Sequence, residues 1–435
     1  MEKNLSRQLL DFLDASPSCY HAVDNLMKEL LAAGYERLWE FRPWHLEEGG
    51  KYFVARGDSS LAAFRVPRKD FRGFMIAAGH SDSPSFKLRE EPEVASPGGC
   101  VRLSVEPYGG MIMRSWLDRP LSAAGRVMVR EGGEIHTRLV NLDRDLLVIP
   151  SMAIHMDRNV NKGTELKANT DLLPLLGGAG AAGGFRRLVA ETAGVPEEAL
   201  LSTELFLYPR TPGVVTGLGE EFLAAPRLDD LQCVFGCLRG FLAAVESRSV
   251  PVLCVFNNEE VGSGTRQGAD STFLTDVLSR IGGGLGLDSE TYHGALANSF
   301  LVSADNAHAV HPAHPEYADQ TECPVLNGGV VIKYNANQRY TTDALSGAVF
   351  RQVCQDAGVP VQRYSNRADL PGGSTLGNIS SAHLSIPTVD IGLPQLAMHS
   401  CYELAGVRDT AYLVQAMTAY YSRSFRRLSD GGIEI

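Results

Sequence analysis

Two uninterrupted apolar runs constrain this chain more than any other feature. Gly73-Phe74-Met75-Ile76-Ala77-Ala78-Gly79 and Val250-Pro251-Val252-Leu253-Cys254-Val255-Phe256 carry no charged or amide side chain. A strand with one wet face alternates polar and apolar residues. A continuous run instead suits a strand buried on both faces, in a parallel or mixed sheet covered by helices. Phe300-Leu301-Val302-Ser303-Ala304 and Thr388-Val389-Asp390-Ile391-Gly392 read as further strands. Helical patterns run through Leu9–Leu13 to a stop near Ser16-Pro17, over His21–Ala33, over Leu228–Val245, and over Asp409–Arg426. The expected class is α/β, with a mixed central sheet covered by helices.

The texture changes after residue 90. A hairpin through Arg56-Gly57-Asp58 joins Tyr52-Phe53-Val54 to Ser60–Val66, as before in the α/β register. From Val101 to Ile149, however, short β-like runs alternate with turn signals such as Pro107-Tyr108-Gly109-Gly110. A Gly/Ala-rich stretch at Gly177–Gly184 interrupts them, and Leu205-Phe206-Leu207-Tyr208 resumes them. A chain of 435 residues exceeds what one core organises. The reading is a discontinuous body, 1–90 and 223–435, with an inserted β-rich domain at 91–222.

Acidic residues outnumber basic ones, 51 to 40, and no basic run occurs. That sign argues against nucleic-acid and anionic-membrane partners. The N-terminal stretch is amphipathic rather than a signal peptide, and no apolar run reaches the ~18 residues needed to span a bilayer. Eight scattered cysteines without a CxxC pair read as reduced thiols, which points to the cytoplasm.

Polar residues that follow directly on buried strands carry the functional signal, because open α/β sheets bind ligands at strand carboxyl ends. Ala78-Gly79-His80-Ser81-Asp82 offers a histidine able to ligate a metal, and an aspartate placed to accept its other ring N–H. Pro226-Arg227-Leu228-Asp229-Asp230 stands at a helix mouth, where capping is the plain alternative. Asn257-Asn258-Glu259-Glu260 puts two carboxylates side by side; diverging side chains suit one to metal and the other to protons. Asp305 follows Ser303-Ala304, and His399 lies in Met398-His399-Ser400. Each has a structural explanation alone. As an ordered set of His, Asp, Glu-Glu, Asp and His at strand ends, they point to one site.

Longer strings carry a resemblance: GHSDSPSFKLR, APRLDDL, NNEEVGS, SADNAHAVHP, VIKYNANQRY and PQLAMHS. Over essentially the whole chain the sequence resembles the aspartyl aminopeptidase family of dizinc metallo-aminopeptidases. The resemblance implies two divalent ions, zinc first among them. One is held by His80, Asp229 and Asp305, and the other by Asp229, Glu260 and His399, with Asp229 bridging. Asp82 orients His80, and Glu259 is the general base as a metal-bridged hydroxide attacks the peptide carbonyl. Lys333, alternating among apolar neighbours in Val330–Tyr334, matches a lysine that contacts the acidic side chain of an N-terminal Asp or Glu. His155 matches a histidine lent from the inserted domain to a neighbouring subunit's site. That implies a homo-oligomer, dimers assembling into dodecamers, acting on peptides with acidic N-termini. His308, His311 and His314, around a proline-broken HPAHP, read as loop residues or as outer supports of the site. Gly372–Thr375 reads as a substrate-contact loop or a plain turn. Two other readings remain: the same metal chemistry on a different substrate (another aminopeptidase or an amidohydrolase), and a non-enzymatic scaffold. Lys333 argues against the former and the complete ligand set against the latter.

Overall fold

A computed structural model describes residues 2–67, 71–370 and 372–435. The period-two geometry of strands explains the apolar runs. In the strand Phe74–His80, the side chains of Phe74, Ile76 and Ala78 join one hydrophobic core, while Met75 and Ala77 join another. Val250–Phe256 divides its residues in the same way: Val252 and Cys254 on one face, Leu253 and Val255 on the other.

These strands lie inside a nine-stranded sheet. Its centre is a parallel block in the spatial order Val250–Phe256, Phe74–His80, Phe300–Ala304, Thr388–Gly392. Antiparallel neighbours flank the block, Ser60–Arg65 on one side and Val330–Tyr334 on the other. The sheet is therefore mixed, and helices cover both faces. Leu228–Ala243 and Asp409–Tyr421 pack on one face with Glu2–Asp14, and Phe273–Gly284 packs on the other. Gly236 and Gly240 let the first two helices close up, since a Cβ at either would come within 2.5 Å of Leu413 or Met417 side-chain atoms.

A second, six-stranded sheet has its own core around Phe86, Trp116, Val127 and Leu205. It is built from Ser85–Ser96, Cys100–Tyr108, Leu121–Glu131, Glu134–Asn141, Leu175–Gly178 and Leu200–Pro209. Its limits differ from the expected 91 and 222. Ser85–Ser96 belongs to it from its first residue. Val214–Thr216 and Phe222–Ala225 instead pair on toward Glu403–Gly406 in a separate five-stranded sheet. Strand-like texture does not disclose which sheet a strand joins.

Two helical readings also shift. Helix Gly184–Ala193 lies in the stretch read as β-rich. Glycines at 183 and 194, both with φ of +71°, bracket it and give it the look of a loop. The last helix ends at Tyr421, and Arg426–Ser429 turns into a short hairpin.

Candidate metal centre

The parallel block aims its carboxyl ends at one place. His80 is the last residue of its strand and pairs in register with Phe256, the last residue of the neighbouring strand. Asp305 directly follows Phe300–Ala304 on the other side. Glu259 and Glu260 sit in a 3₁₀ turn just beyond Phe256, and Asp229 lies in the first turn of the helix Leu228–Ala243, joined to Asp230 by a cis peptide. His399 comes from the loop between Pro394–Leu396 and Glu403–Gly406.

His80 Nε2 lies 3.6 Å from Asp229 Oδ1 and 3.9 Å from Asp305 Oδ1. His399 Nε2 lies 3.4 Å from Asp229 Oδ2 and 3.5 Å from Glu260 Oε2. Atoms bound about 2.1 Å from one tetrahedral zinc stand about 3.4 Å apart. The two Asp229 oxygens thus face two different imidazoles, the arrangement of a bridging carboxylate. Donor atoms of His80, Asp229, Asp230 and Asp305 lie within 4.8 Å of one another, as do those of Asp229, Glu260 and His399.

Electrostatics tests the fit. Asp229 Oδ1 and Glu260 Oε1 are buried without a hydrogen-bond partner. Burial first, then the Asp229 carboxylate, pushes the Glu260 carboxyl well above its usual range. Burial alone would lower His399, but Asp229 and Glu260 raise it to about 10. Burial likewise opposes the charged form of His80, yet Asp305 and Asp82 raise it well above the ordinary histidine value. Carboxylates crowded in a low-dielectric site need compensating positive charge. Protons can supply it, and so can divalent cations. The oxygen and imidazole donor set fits zinc.

Each imidazole is oriented from behind. His80 Nδ1 is 3.0 Å from the Asp82 carbonyl oxygen and 3.4 Å from its Oδ1, so the backbone carbonyl is the nearer acceptor. The Asp82 carboxylate mainly accepts other groups: Tyr108 Oη at 2.7 Å, and the N–H groups of Glu259 and Glu260 at 3.2 Å each. His399 Nδ1 stands 2.6 Å from the Gly110 carbonyl. With Nδ1–H donated in both rings, both Nε2 atoms face the carboxylates.

Lys333 is buried on its strand Val330–Tyr334. It is 2 % exposed, donates to the Asn306 carbonyl at 3.1 Å and lies 3.5 Å from Asp305 Oδ2. Burial would lower its pKa; Asp305, then Tyr340 and Asp390, outweigh burial and keep it raised. Lys333, Tyr340, Tyr364, His308 and Gly373–Thr375 line a cleft of about 250 Å³ that reaches His80, Asp229, Glu259, Glu260, Asp305 and His399. His155 is exposed in an irregular segment and does not line this cleft.

His308 lies beside the donor set: Ala307–His308 forms a short strand against Pro394-Gln395, and the histidine lines the cleft. The surrounding protein, then Lys333, lowers its pKa. Sequence reasoning missed Glu403, which accepts from Asp229 N at 3.1 Å and His399 N at 2.8 Å. It missed Asn306, whose amide binds the Leu228 carbonyl and Gln395 Oε1. An apolar strand followed by Asp-Asn was a usable signal for Asn306; nothing local marks Glu403.

Fold and donor set together define a class first: a hydrolytic enzyme with a two-ion site at the carboxyl edge of a mixed sheet. A family profile described as aminopeptidase I zinc metalloprotease (M18) matches residues 12–421. A probable M18 family aminopeptidase 2 from Clostridium acetobutylicum is 43% identical, over 97% of this chain and 99% of its own length. Among solved structures, a chain in the cryo-EM structure of the Ape4 and Nbr1 complex is 37% identical with a TM-score of 0.94. It covers 97% of this chain, which covers 86% of it. A chain of the S. cerevesiae mApe1 dodecamer is 27% identical with a TM-score of 0.84, covering 96% of each. The chain belongs to the M18 aminopeptidase family. It is a zinc metallo-aminopeptidase that uses two divalent ions.

Proposed function

We propose that this enzyme removes N-terminal aspartate and glutamate from peptides. The observation that carries the reading is Lys333, a fully buried ammonium at the wall of the cleft beside Asp305. A buried cation there offers an acidic side chain a charge-assisted partner that a neutral side chain cannot use. His80, Asp229 and Asp305 would hold one ion, and Asp229, Glu260 and His399 the other. When bound, the ions supply Lewis acidity to the peptide carbonyl and acidify the attacking water.

Glu259 takes the proton from that water and delivers it to the leaving amine. Burial first, then the Asp305, Asp82 and Asp229 carboxylates, raise its carboxyl to about 7 against the opposing pull of His80. The substrate's free α-amino group sits among the carboxylates, which limits cleavage to the first peptide bond. Tyr340, Tyr364 and His308 line the side-chain pocket.

The active form is a homo-oligomer in which the six-stranded sheet mediates assembly and His155 reaches a neighbouring subunit's site. The dodecameric relative supports this reading, as does the exposed apolar group Met152, Ile154 and Met156 around His155. Residence in the cytoplasm agrees with eight unpaired cysteines. Among the described residues no helix is long and apolar enough to cross a membrane.

The test is hydrolysis of Asp-, Glu-, Ala- and Leu-aminoacyl substrates by purified protein, chelated and then restored with zinc. Zinc-dependent cleavage favouring Asp and Glu supports the proposal. Preference for Ala or Leu overturns the specificity while leaving the two-ion chemistry standing. Cleavage of N-acyl substrates alone points to an amidohydrolase.

A further inference from the structure

The six-stranded sheet reaches the metal cluster directly. At the end of Cys100–Tyr108 the chain passes through Gly109 and Gly110, and each of the three residues touches a different support of the donor set. Tyr108 Oη donates to Asp82 Oδ2 at 2.7 Å and accepts from Asn258 Nδ2 at 2.8 Å. Gly109, with φ of +75°, lies against Glu260; a Cβ there would stand 3.0 Å from Glu260 Cβ. The Gly110 carbonyl accepts from His399 Nδ1 at 2.6 Å, and Ile112 N–H donates to the His399 carbonyl at 2.9 Å.

The geometry points to the Tyr108–Gly110 turn as a positioning element for both halves of the metal centre, with Tyr108 acting through Asp82. Resting on the ligand assignment above, it gives the inserted sheet a part in the chemistry as well as in assembly. Asp82 is a junction: its carbonyl fixes the His80 tautomer, and its carboxylate holds the N–H groups of the Glu259-Glu260 turn. Among the described residues, Tyr108 supplies the one side-chain donor to that carboxylate other than the His80 ring. Its ring packs edge-on against Phe206 at 5.3 Å, so the inserted sheet dictates where the hydroxyl stands. On the other half, the Gly110 carbonyl holds His399 with Nε2 toward Glu260 and Asp229. Such outer partners of metal-bound histidines govern affinity and turnover as much as they govern shape.

Tyr108→Phe removes only the hydroxyl and keeps the ring packing. Zinc affinity is read by competition with a chelator on metal-free full-length protein, beside kcat, KM and Tm. The expected result is a loss of about 10- to 100-fold in zinc affinity or kcat, with KM and the metal-free Tm close to the parent. A purely structural role would move Tm and leave zinc affinity and kcat unchanged, and that result overturns the inference. Gly109→Ala, which presses on Glu260, is expected to weaken one of the two ions selectively. Parental affinity for both ions in that variant overturns the claim for the Glu260 half. His80→Ala and His399→Ala run in parallel separate the two levels. If neither lowers zinc stoichiometry, the ligand assignment fails. If both do while Tyr108→Phe matches the parent, only this inference fails.

Discussion

His80 and Asp305 stand at the ends of two strands that lie side by side in the sheet, whereas Glu260 and His399 hang from loops. His80 is 1 % exposed; the His399 side chain is 32 % exposed, on backbone with φ of +65°. The strand-borne half inherits its geometry from the hydrogen-bonded ladder of the central sheet. The loop-borne half depends on borrowed contacts: Gly110 from the inserted sheet and Glu403 from the five-stranded sheet. The protein thus builds one half of the centre on a rigid frame and steadies the other with contacts from two further parts of the fold. Asp229 joins the two, one oxygen toward each imidazole.

The largest effect should come from breaking that joint. Asp229→Ala takes a donor from both halves at once. Zinc stoichiometry should fall from two toward zero, and kcat by at least about 10³-fold, since a bound ion contributes several kcal/mol to such reactions. Elemental analysis beside single-turnover rates checks it. A variant that keeps one ion firmly would show that the halves are independent.

Chelation sharpens the contrast. The loop-borne half should surrender its ion first, giving two phases in a chelator titration, with activity lost mostly in the first. His399→Ala should lack that phase and keep the slower one. One undivided phase, or loss of the fast phase in His80→Ala instead, would reverse the assignment of rigid and adjustable halves.

The proposed specificity rests on the strand-borne half, through the Lys333–Asp305 contact. Lys333→Met should keep its two ions, while the kcat/KM preference for Asp over Ala substrates falls by about 100-fold. That sits within the 2–5 kcal/mol typical of truncating one partner of a buried charge pair. An unchanged preference assigns selection of acidic residues to other groups, His308 first.

What the sequence discloses follows the same division. The strand-end members of the cluster are legible because a buried strand and its terminal polar residue are neighbours in the chain: the seven-residue runs before His80 and Asn257 announce both the sheet and its edge. The supports are not legible, because they arrive from far away. Asp229 and Glu403 are 174 positions apart, and Asp82 meets Tyr108 across a change of sheet. Lys333 is a third case. Its alternation marks a side of the strand that faces a cleft rather than bulk water, where Asp305 and the Asn306 carbonyl make a buried ammonium tolerable.

The smallest expected effect tests the neighbouring carboxylate. Asp230 has a donor atom within reach of the same cluster as Asp229, yet it does not line the cleft. Its Oδ2 accepts the His80 backbone N–H at 3.0 Å and lies behind Gly79, where a Cβ would approach it to 2.7 Å. Burial first, then the Asp305 and Asp229 carboxylates, push its carboxyl well above the ordinary range, so a neutral group suits the position. An amide of the same shape keeps an acceptor for the His80 N–H. Asp230→Asn should therefore retain two zinc ions, with kcat within about tenfold of the parent, the lower end of what a residue supporting a ligand costs. Loss of an ion on the scale of Asp229→Ala would make Asp230 a ligand. The strand-borne half would then hold its ion with one more carboxylate than the loop-borne half, and the difference in their grip would come from charge as well as from rigidity.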